Sequence, residues 1–421
     1  MSRPRGAPRR PLVRLLAATA LLVATGACAS ATPATPPEAA RRPAPTVSAP
    51  LVGAHYYLWY PANTGEGLLR RHLVPDQGDD PAGRDSADPA VAERAIARAS
   101  AAGVDFFTLD WWPDGRYPTS RVDSFLRARN LGDIEFCLFY ETHALNFDPV
   151  HEATPVTPAV RDRFAADLLD IAQRYFDNPS YLHVDGRPVL VLYLTRTLTG
   201  DVAGAVAQAR RLLAAHGYDP FLIGDEVFWR VTDPAAAGSG SWLTTAPQPA
   251  RIRLFDAVTA YNLYTGGPAY DASPLADFAD YPGRTNVVAD ELALYQRYRD
   301  ATNGEVPVIP DVAPGINTRG VRLEKDQPAM PRQWLPGEDG ASTFRHLLRD
   351  VGLPTVDWRV PMLFVTSWNE WNEDTAIEPV GGVATSLDDS PSGHEFTQGY
   401  TYGGEGDGAL AALRELTAPG R

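Results

Sequence analysis

The sequence predicts a single (β/α)8 TIM barrel over residues 51–421. Eight short apolar runs alternate with amphipathic stretches, the signature of parallel strands joined by helices. The first run is not followed by the glycine-rich phosphate turn that an open doubly wound sheet usually carries. Polar and aromatic residues end nearly every run, as expected where a barrel gathers its chemistry at the C-terminal ends of its strands.

The runs are Leu51–Leu58, Val104–Leu109, Ile134–Phe139, Pro188–Leu194, Pro220–Ile223, Phe255–Ala260, Val306–Val312 and Pro361–Val365. Helical stretches are expected at Pro89–Ala102, Thr157–Tyr175, Val202–Ala215, Asn286–Tyr298, Ser342–Val351 and, last, Gly408–Leu416. The pairs Gly266-Gly267 and Gly403-Gly404 fall between these elements and read as turns.

Ahead of the barrel stands an export leader. Arg3, Arg5, Arg9, Arg10 and Arg14 accompany the apolar stretch Leu15–Ala24, and Thr25-Gly26-Ala27-Cys28 follows. A basic start, an apolar middle and small residues at the cut are the plan of a signal peptide. The apolar stretch is too short to cross a bilayer as a helix. The residues before Cys28 resemble a bacterial lipobox, which makes residues 1–28 a lipoprotein leader with the lipid on Cys28. Ordinary cleavage after Ala29 or Ala31 is the alternative. Residues 29–50 are rich in Ala, Pro and Thr and bury too little to order themselves, so they read as a tether. The expected location is outside the cytoplasm, as a surface lipoprotein or a secreted protein, with membrane contact only through the lipid.

A net charge of −14 excludes nucleic acid as a partner, because phosphate binding needs clustered Lys and Arg. The two cysteines, Cys28 and Cys137, lie in the leader and in an apolar run, so no disulfide is expected. The histidines show no metal-ligand spacing, and no GxSxG elbow is present. No zinc site and no esterase nucleophile are therefore expected, while Glu405-Gly406-Asp407 reads as a loop that leaves calcium open.

The run endings carry Tyr57-Leu58-Trp59-Tyr60, Asp110-Trp111-Trp112, Tyr140-Glu141-Thr142-His143, Asp225-Glu226, Tyr261-Asn262, Asp311, and Trp368-Asn369-Glu370-Trp371-Asn372-Glu373. One polar ending needs no explanation beyond solvation; their convergence on one rim points to an enzyme. Glu370 and Glu373, three apart after run eight, can point into one cavity. A proton donor and a second carboxylate are what cleavage of a glycosidic bond requires. Trp368 and Trp371 flank them, and an apolar ring beside a carboxyl favours its protonated form. The alternative is a surface turn with two solvated glutamates and two packing tryptophans. Tyr57, Trp59, Tyr60, Asp110, Trp111, Trp112, Tyr140, Glu141, Glu226, Tyr261, Asn262, Trp368, Asn369, Trp371 and Asn372 are the candidate substrate-binding residues, with rings to stack on sugar faces and polar groups to bond hydroxyls.

Ser367-Trp368-Asn369-Glu370-Trp371-Asn372-Glu373-Asp374-Thr375-Ala376-Ile377-Glu378 resembles the signature of glycoside hydrolase family 99, the endo-α-mannosidase group, and of related WbsX-like glycan-processing domains. His55-Tyr56-Tyr57-Leu58-Trp59-Tyr60, Gly103-Val104-Asp105, Asp110-Trp111-Trp112, Asn178-Pro179-Ser180-Tyr181-Leu182, Asp185-Gly186-Arg187-Pro188-Val189 and Pro314-Gly315 agree in order, so the resemblance spans about residues 51–380. It implies a retaining, endo-acting hydrolase of α-mannoside-containing oligosaccharide or polysaccharide, without cofactor. By the same resemblance Glu373 is the acid and base, and Glu370 assists the sugar's own 2-hydroxyl as an internal nucleophile. Two departures stand out. Asn372 occupies a common His position and cannot change charge. Asp374 occupies a common Gly position and is expected to add negative charge beside the acid. The competing readings are a non-catalytic glycan-binding lipoprotein and a glycan-processing enzyme of polysaccharide assembly.

Overall fold

A computed structural model describes residues 49–62, 74–75, 84–236, 242–263, 281–318, 329–381 and 406–417. Cys28, Glu405 and the two glycine pairs lie outside them. The chain from Val47 to Arg421 is one compact unit.

The expected barrel is present. Its strands are β1 (Leu51–Tyr56), β2 (Phe106–Trp111), β3 (Glu135–Glu141), β4 (Arg187–Tyr193), β5 (Phe221–Asp225), β6 (Ala257–Thr259), β7 (Val308–Ile309 and Asp311–Val312) and β8 (Met362–Val365). Each is parallel to its neighbours, and β1 closes the ring by pairing with both β2 and β8. Pro310 splits β7, because proline has no N–H to give to a ladder. The two pieces still bridge the gap: Val308–Ile309 pairs with β6 and Asp311–Val312 with β8.

The helices are α1 (Pro89–Ala102), α2 (Ser120–Phe125), α3 (Pro158–Tyr175), α4 (Val202–Ala215), α5 (Pro249–Ile252), α6 (Val287–Ala301), α7 (Ser342–Leu347) and α8 (Gly408–Thr417). Their ends follow local chemistry. Asp88 caps α1 by accepting from Ala90 N, with Pro89 in the first turn and Gly103 at φ 87° after the last. Thr157 and Asp201 cap α3 and α4 in the same way. The short helices α2 and α5 were not expected, since six and four residues are too few to display a helical period.

Strands two, three and five run two residues beyond the apolar runs that announced them, to Trp111, Glu141 and Asp225. Their last inward-facing positions are polar, so the apolar pattern stops before the strand does. The barrel interior is packed around Phe106, Phe139 and Phe364, with His55 among the rings. Gly53 is small because the Phe106 ring fills the place that a Cβ would take. A polar column crosses this core. His55 Nδ1 is 2.5 Å from Thr108 Oγ1, His55 Nε2 is 3.1 Å from Asp311 Oδ2, and Thr366 Oγ1 donates to the same oxygen at 3.0 Å.

Beside that column, α6 turns Glu291 into a small pocket shared with Asp311, Asn262, Met330 and Leu347. Burial pushes the Glu291 carboxyl up to about 8 from 4.5, helped by the charges of Asp311 and Asp290. A group that holds its proton more tightly when folded makes the unfolded state the better proton releaser. Stability is therefore greatest below about pH 4.5 for this group and falls as pH rises towards about 8, by at most about 1.4 kcal/mol per pH unit for one proton. Glu291→Gln should remove that slope in denaturant titrations at pH 5, 6.5 and 8. An unchanged slope would mean that Glu291 is not protonated in the folded state.

Candidate active site

After β8 the chain folds back on itself from Ser367 to Ile377. Ser367 N donates to Thr375 O (2.8 Å), and Ile377 N to Ser367 O (2.9 Å). Ser367 Oγ accepts from Glu370 N at 2.8 Å and lies 3.1 Å from Thr375 Oγ1. Within this turn, Glu370 begins a single 3-10 turn over Trp371–Glu373 and accepts Asn372 N through Oε1 at 2.9 Å.

The turn is held from two sides. Asn369 grips the end of β1: its Oδ1 accepts Tyr57 N (2.8 Å) and its Nδ2 donates to Tyr57 O (3.0 Å). Tyr60 Oη donates to Asn369 O at 2.7 Å. From behind, Arg332 donates to Asp374 Oδ1 (3.0 Å), Asp374 O (3.0 Å) and Ala376 O (2.7 Å). Gly315 lets that guanidinium stem pass; a Cβ would meet Arg332 Cγ at 2.8 Å and Met330 O at 2.9 Å.

The turn faces a tyrosine cluster of Tyr57 and Tyr261, both buried, and Tyr193, half-buried. Tyr57 and Tyr261 share a short hydroxyl–hydroxyl hydrogen bond, and the rings of Tyr193 and Tyr261 meet edge to face at 4.8 Å. Burial pushes all three phenols well above their usual range. Carboxylates then add to the effect: Glu141 and Glu370 on Tyr57, Glu141 and Glu373 on Tyr193, and Glu373 and Glu370 on Tyr261. Three glutamates thus act on one tyrosine cluster from two sides of the barrel mouth. The phenols stay neutral there and can donate hydrogen bonds to a sugar or to a developing oxyanion.

Glu141 ends β3 with Oε2 3.0 Å from His143 Nδ1; burial raises its carboxyl and His143 opposes the rise. Asp110 is raised to about 7 by burial, against the pull of the Leu58 N–H. Its two oxygens hold Leu58 N (2.6 Å) and Trp112 Nε1 (2.9 Å), so it fixes the rim rather than presenting a bare carboxylate. Trp59 stacks on Tyr57 at 4.2 Å, and Trp112 lies 6.4 Å from Trp59 and 5.2 Å from His143.

The remaining candidates lie on the outer side of the strands, within the turn itself or in other buried contacts. Strand alternation sends Trp111 and Tyr140 outward, opposite Asp110 and Glu141. There the two rings stack at 5.4 Å, and Tyr140 Oη donates to Asp167 on α3 at 2.9 Å. Trp368 is wholly buried against Phe107. Trp371 lies between Tyr60 and the Arg84 guanidinium, whose partner is Glu378 at 2.8 Å. Glu226 accepts Arg251 Nε at 2.8 Å in a buried ion pair. Asn262, at φ 52°, lines the Glu291 pocket. Asn369 uses its amide as the clamp described above, while Asn372 is buried in the turn. Asp374 does not stand as an added charge beside Glu373: Arg332 neutralises it from behind.

Sequence reading missed Tyr193 and Arg332. Tyr193 is the third alternate residue after Val189 and Val191, and a period-two reading of β4 finds it. Arg332 carries no sequence signal, since its contacts are to groups far along the chain. Among the described residues, no three His, Cys, Asp or Glu side chains form a metal-binding group.

The chain matches the family described as "Glycosyltransferase WbsX" over residues 52–386. Among solved structures it is similar to a "glycoside hydrolase-like protein", at TM-score 0.60 and 18% identity, covering 88% of this chain and 94% of that one. It is also similar to the GH99 endo-alpha-mannosidase from Bacteroides thetaiotaomicron in complex with bis-tris-propane, at TM-score 0.54 and 18% identity, covering 87% and 95%. No curated protein matches.

Proposed function

This chain belongs to the WbsX family, and from that membership and its site we propose that it is a retaining glycoside hydrolase cutting within α-mannoside-containing glycans. One observation carries the reading. The clamped turn after β8 brings Glu370 and Glu373 to the same tyrosine cluster, in a mouth rimmed by Trp59 and Trp112. Likeness in fold to a GH99 endo-alpha-mannosidase supports the choice of substrate class.

In the reaction so read, Glu373 gives its proton to the glycosidic oxygen as the bond from that oxygen to the anomeric carbon breaks. Glu370 takes the proton of the 2-hydroxyl, whose oxygen bonds to the same carbon. Water then attacks that carbon, giving a proton to Glu373, while Glu370 returns its proton to the 2-oxygen. The two inversions leave the anomeric configuration retained. In this reading the Tyr57–Tyr261 pair, whose hydroxyls bond each other, has one O–H left to donate to the reacting sugar. The leader ending at Cys28 supports action outside the cytoplasm.

The family's description favours a second reading, transfer of the glycosyl group to a sugar hydroxyl instead of water. Incubation of the purified chain with α-mannans and α-glucans, and separately with sugar nucleotides plus acceptor, decides between them. Release of oligosaccharides with retained anomeric configuration is the expected result. Product formed only from a sugar nucleotide overturns it.

A further inference from the structure

Only three large apolar side chains among the described residues are exposed, and two of them, Phe147 and Val150, stand three residues apart on the loop after β3. An exposed apolar pair on a floppy loop would mean little. This loop is rigid. Phe147 N donates to His143 O (3.0 Å), Asp148 and Ala153 exchange two backbone hydrogen bonds (2.7 and 3.2 Å), and Asp148 Oδ2 is 2.6 Å from His151 Nδ1. His151 in turn stacks on Trp242 at 4.7 Å, with planes 19° apart. Thr232 Oγ1 donates to Glu152 O at 3.2 Å, joining this loop to the hairpin Val231–Thr232/Leu243–Thr244 beside Trp242.

The patch is continuous with the carboxylate mouth. His143 is 3.0 Å from Glu141, its ring lies 5.9 Å from Tyr193 and 5.2 Å from Trp112, and Phe147 follows at 6.2 Å. A line of rings therefore leads from the tyrosine cluster outward to open solvent, and it does so on the end of the barrel that carries Glu370 and Glu373. Flat apolar rings held in place by backbone hydrogen bonds suit the faces of successive pyranose units, which are apolar with polar edges. Resting on the hydrolase reading above, we propose that Phe147 and the His151–Trp242 pair form an outlying platform that binds the glycan chain several sugars from the bond that is cut. The substrate is then a polymer held along its length, not a short terminal unit.

The test uses the full chain and two variants, Phe147→Ala and Trp242→Ala, with circular dichroism to establish folding. Mobility in native gels containing soluble yeast α-mannan or dextran reports binding. Turnover on the polymer and on the shortest oligosaccharide cleaved reports use. Each variant should bind the retarding polymer about tenfold more weakly, the size of one lost ring stack. Its kcat/KM should fall on the polymer and hold on the short substrate. Wild-type retardation by both variants, or equal losses on long and short substrates, overturns the platform. If the wild type is retarded through these rings yet cleaves nothing, the platform stands and the hydrolase reading falls; if it is neither retarded nor active, both fall. Light scattering of Phe147→Asp covers the rival occupant: a dimer that becomes monomeric without loss of retardation makes the patch a self-contact and overturns the proposal.

Discussion

Glu373→Gln should lose about 10²–10⁴-fold in turnover on a glycan whose leaving group needs a proton, the usual contribution of a positioned acid. On an aryl glycoside that departs without protonation the same variant should lose far less. Glu370→Gln should be impaired on both, because in the proposed reaction it serves the oxygen that attacks and not the one that leaves. Both variants should fold, since the amide keeps the shape of the carboxyl it replaces. In Glu370→Gln the amide oxygen can still accept Asn372 N, as Glu370 Oε1 now does at 2.9 Å. Steady-state rates on the two substrate types, with binding measured on the inactive variants, check the assignment. If both single variants keep wild-type turnover, the chemistry lies elsewhere, and Glu141 is the next carboxylate at the tyrosine cluster.

Arg332→Ala should cost about 3–5 kcal/mol of stability, the penalty for stripping a buried carboxylate of its guanidinium. The variant also leaves Asp374 O and Ala376 O without the donors that now reach them at 3.0 and 2.7 Å. The companion variant Asp374→Gly should cost less. It leaves the Arg332 charge without its carboxylate, but that guanidinium keeps its two backbone carbonyl acceptors, and glycine suits φ 55° at that position. Arg332→Ala combined with Asp374→Gly should therefore recover part of the loss. Urea midpoints of the three variants measure this cycle. A cost under about 1 kcal/mol for Arg332→Ala alone would mean that the bracket does not hold the turn.

The barrel was legible because each strand and each long helix repeats its own period. All eight strands fall on or beside an apolar run, and α1 and α4 have the expected ends, set by Asp88, Gly103 and Asp201. The site was legible only as a rim. Sequence shows that Asp110, Trp111 and Trp112 end a strand, but one step along that strand reverses the side chain. Asp110 consequently faces the mouth while Trp111 faces away from it, stacked on Tyr140. Trp368 and Trp371 flank the glutamates in the sequence, and the fold buries both rings. Asp374 was misjudged for a different reason. Its charge is balanced by a residue 42 positions earlier, and nothing local announces that pairing.

The turn from Ser367 to Ile377 satisfies much of its own backbone and is otherwise held by the end of β1, by Tyr60 and by the Arg332 guanidinium. The rim around it is built from separate loops after β1, β2, β3 and β5. Insertions or exchanges in those loops can alter which glycan is held without retuning the pair of glutamates. On the proposed reading, a library that varies the loops bearing Trp112, Phe147 and Trp242 while freezing Ser367–Ile377, Asn369's hold on Tyr57 and Arg332 is thus the economical route to new linkage preferences.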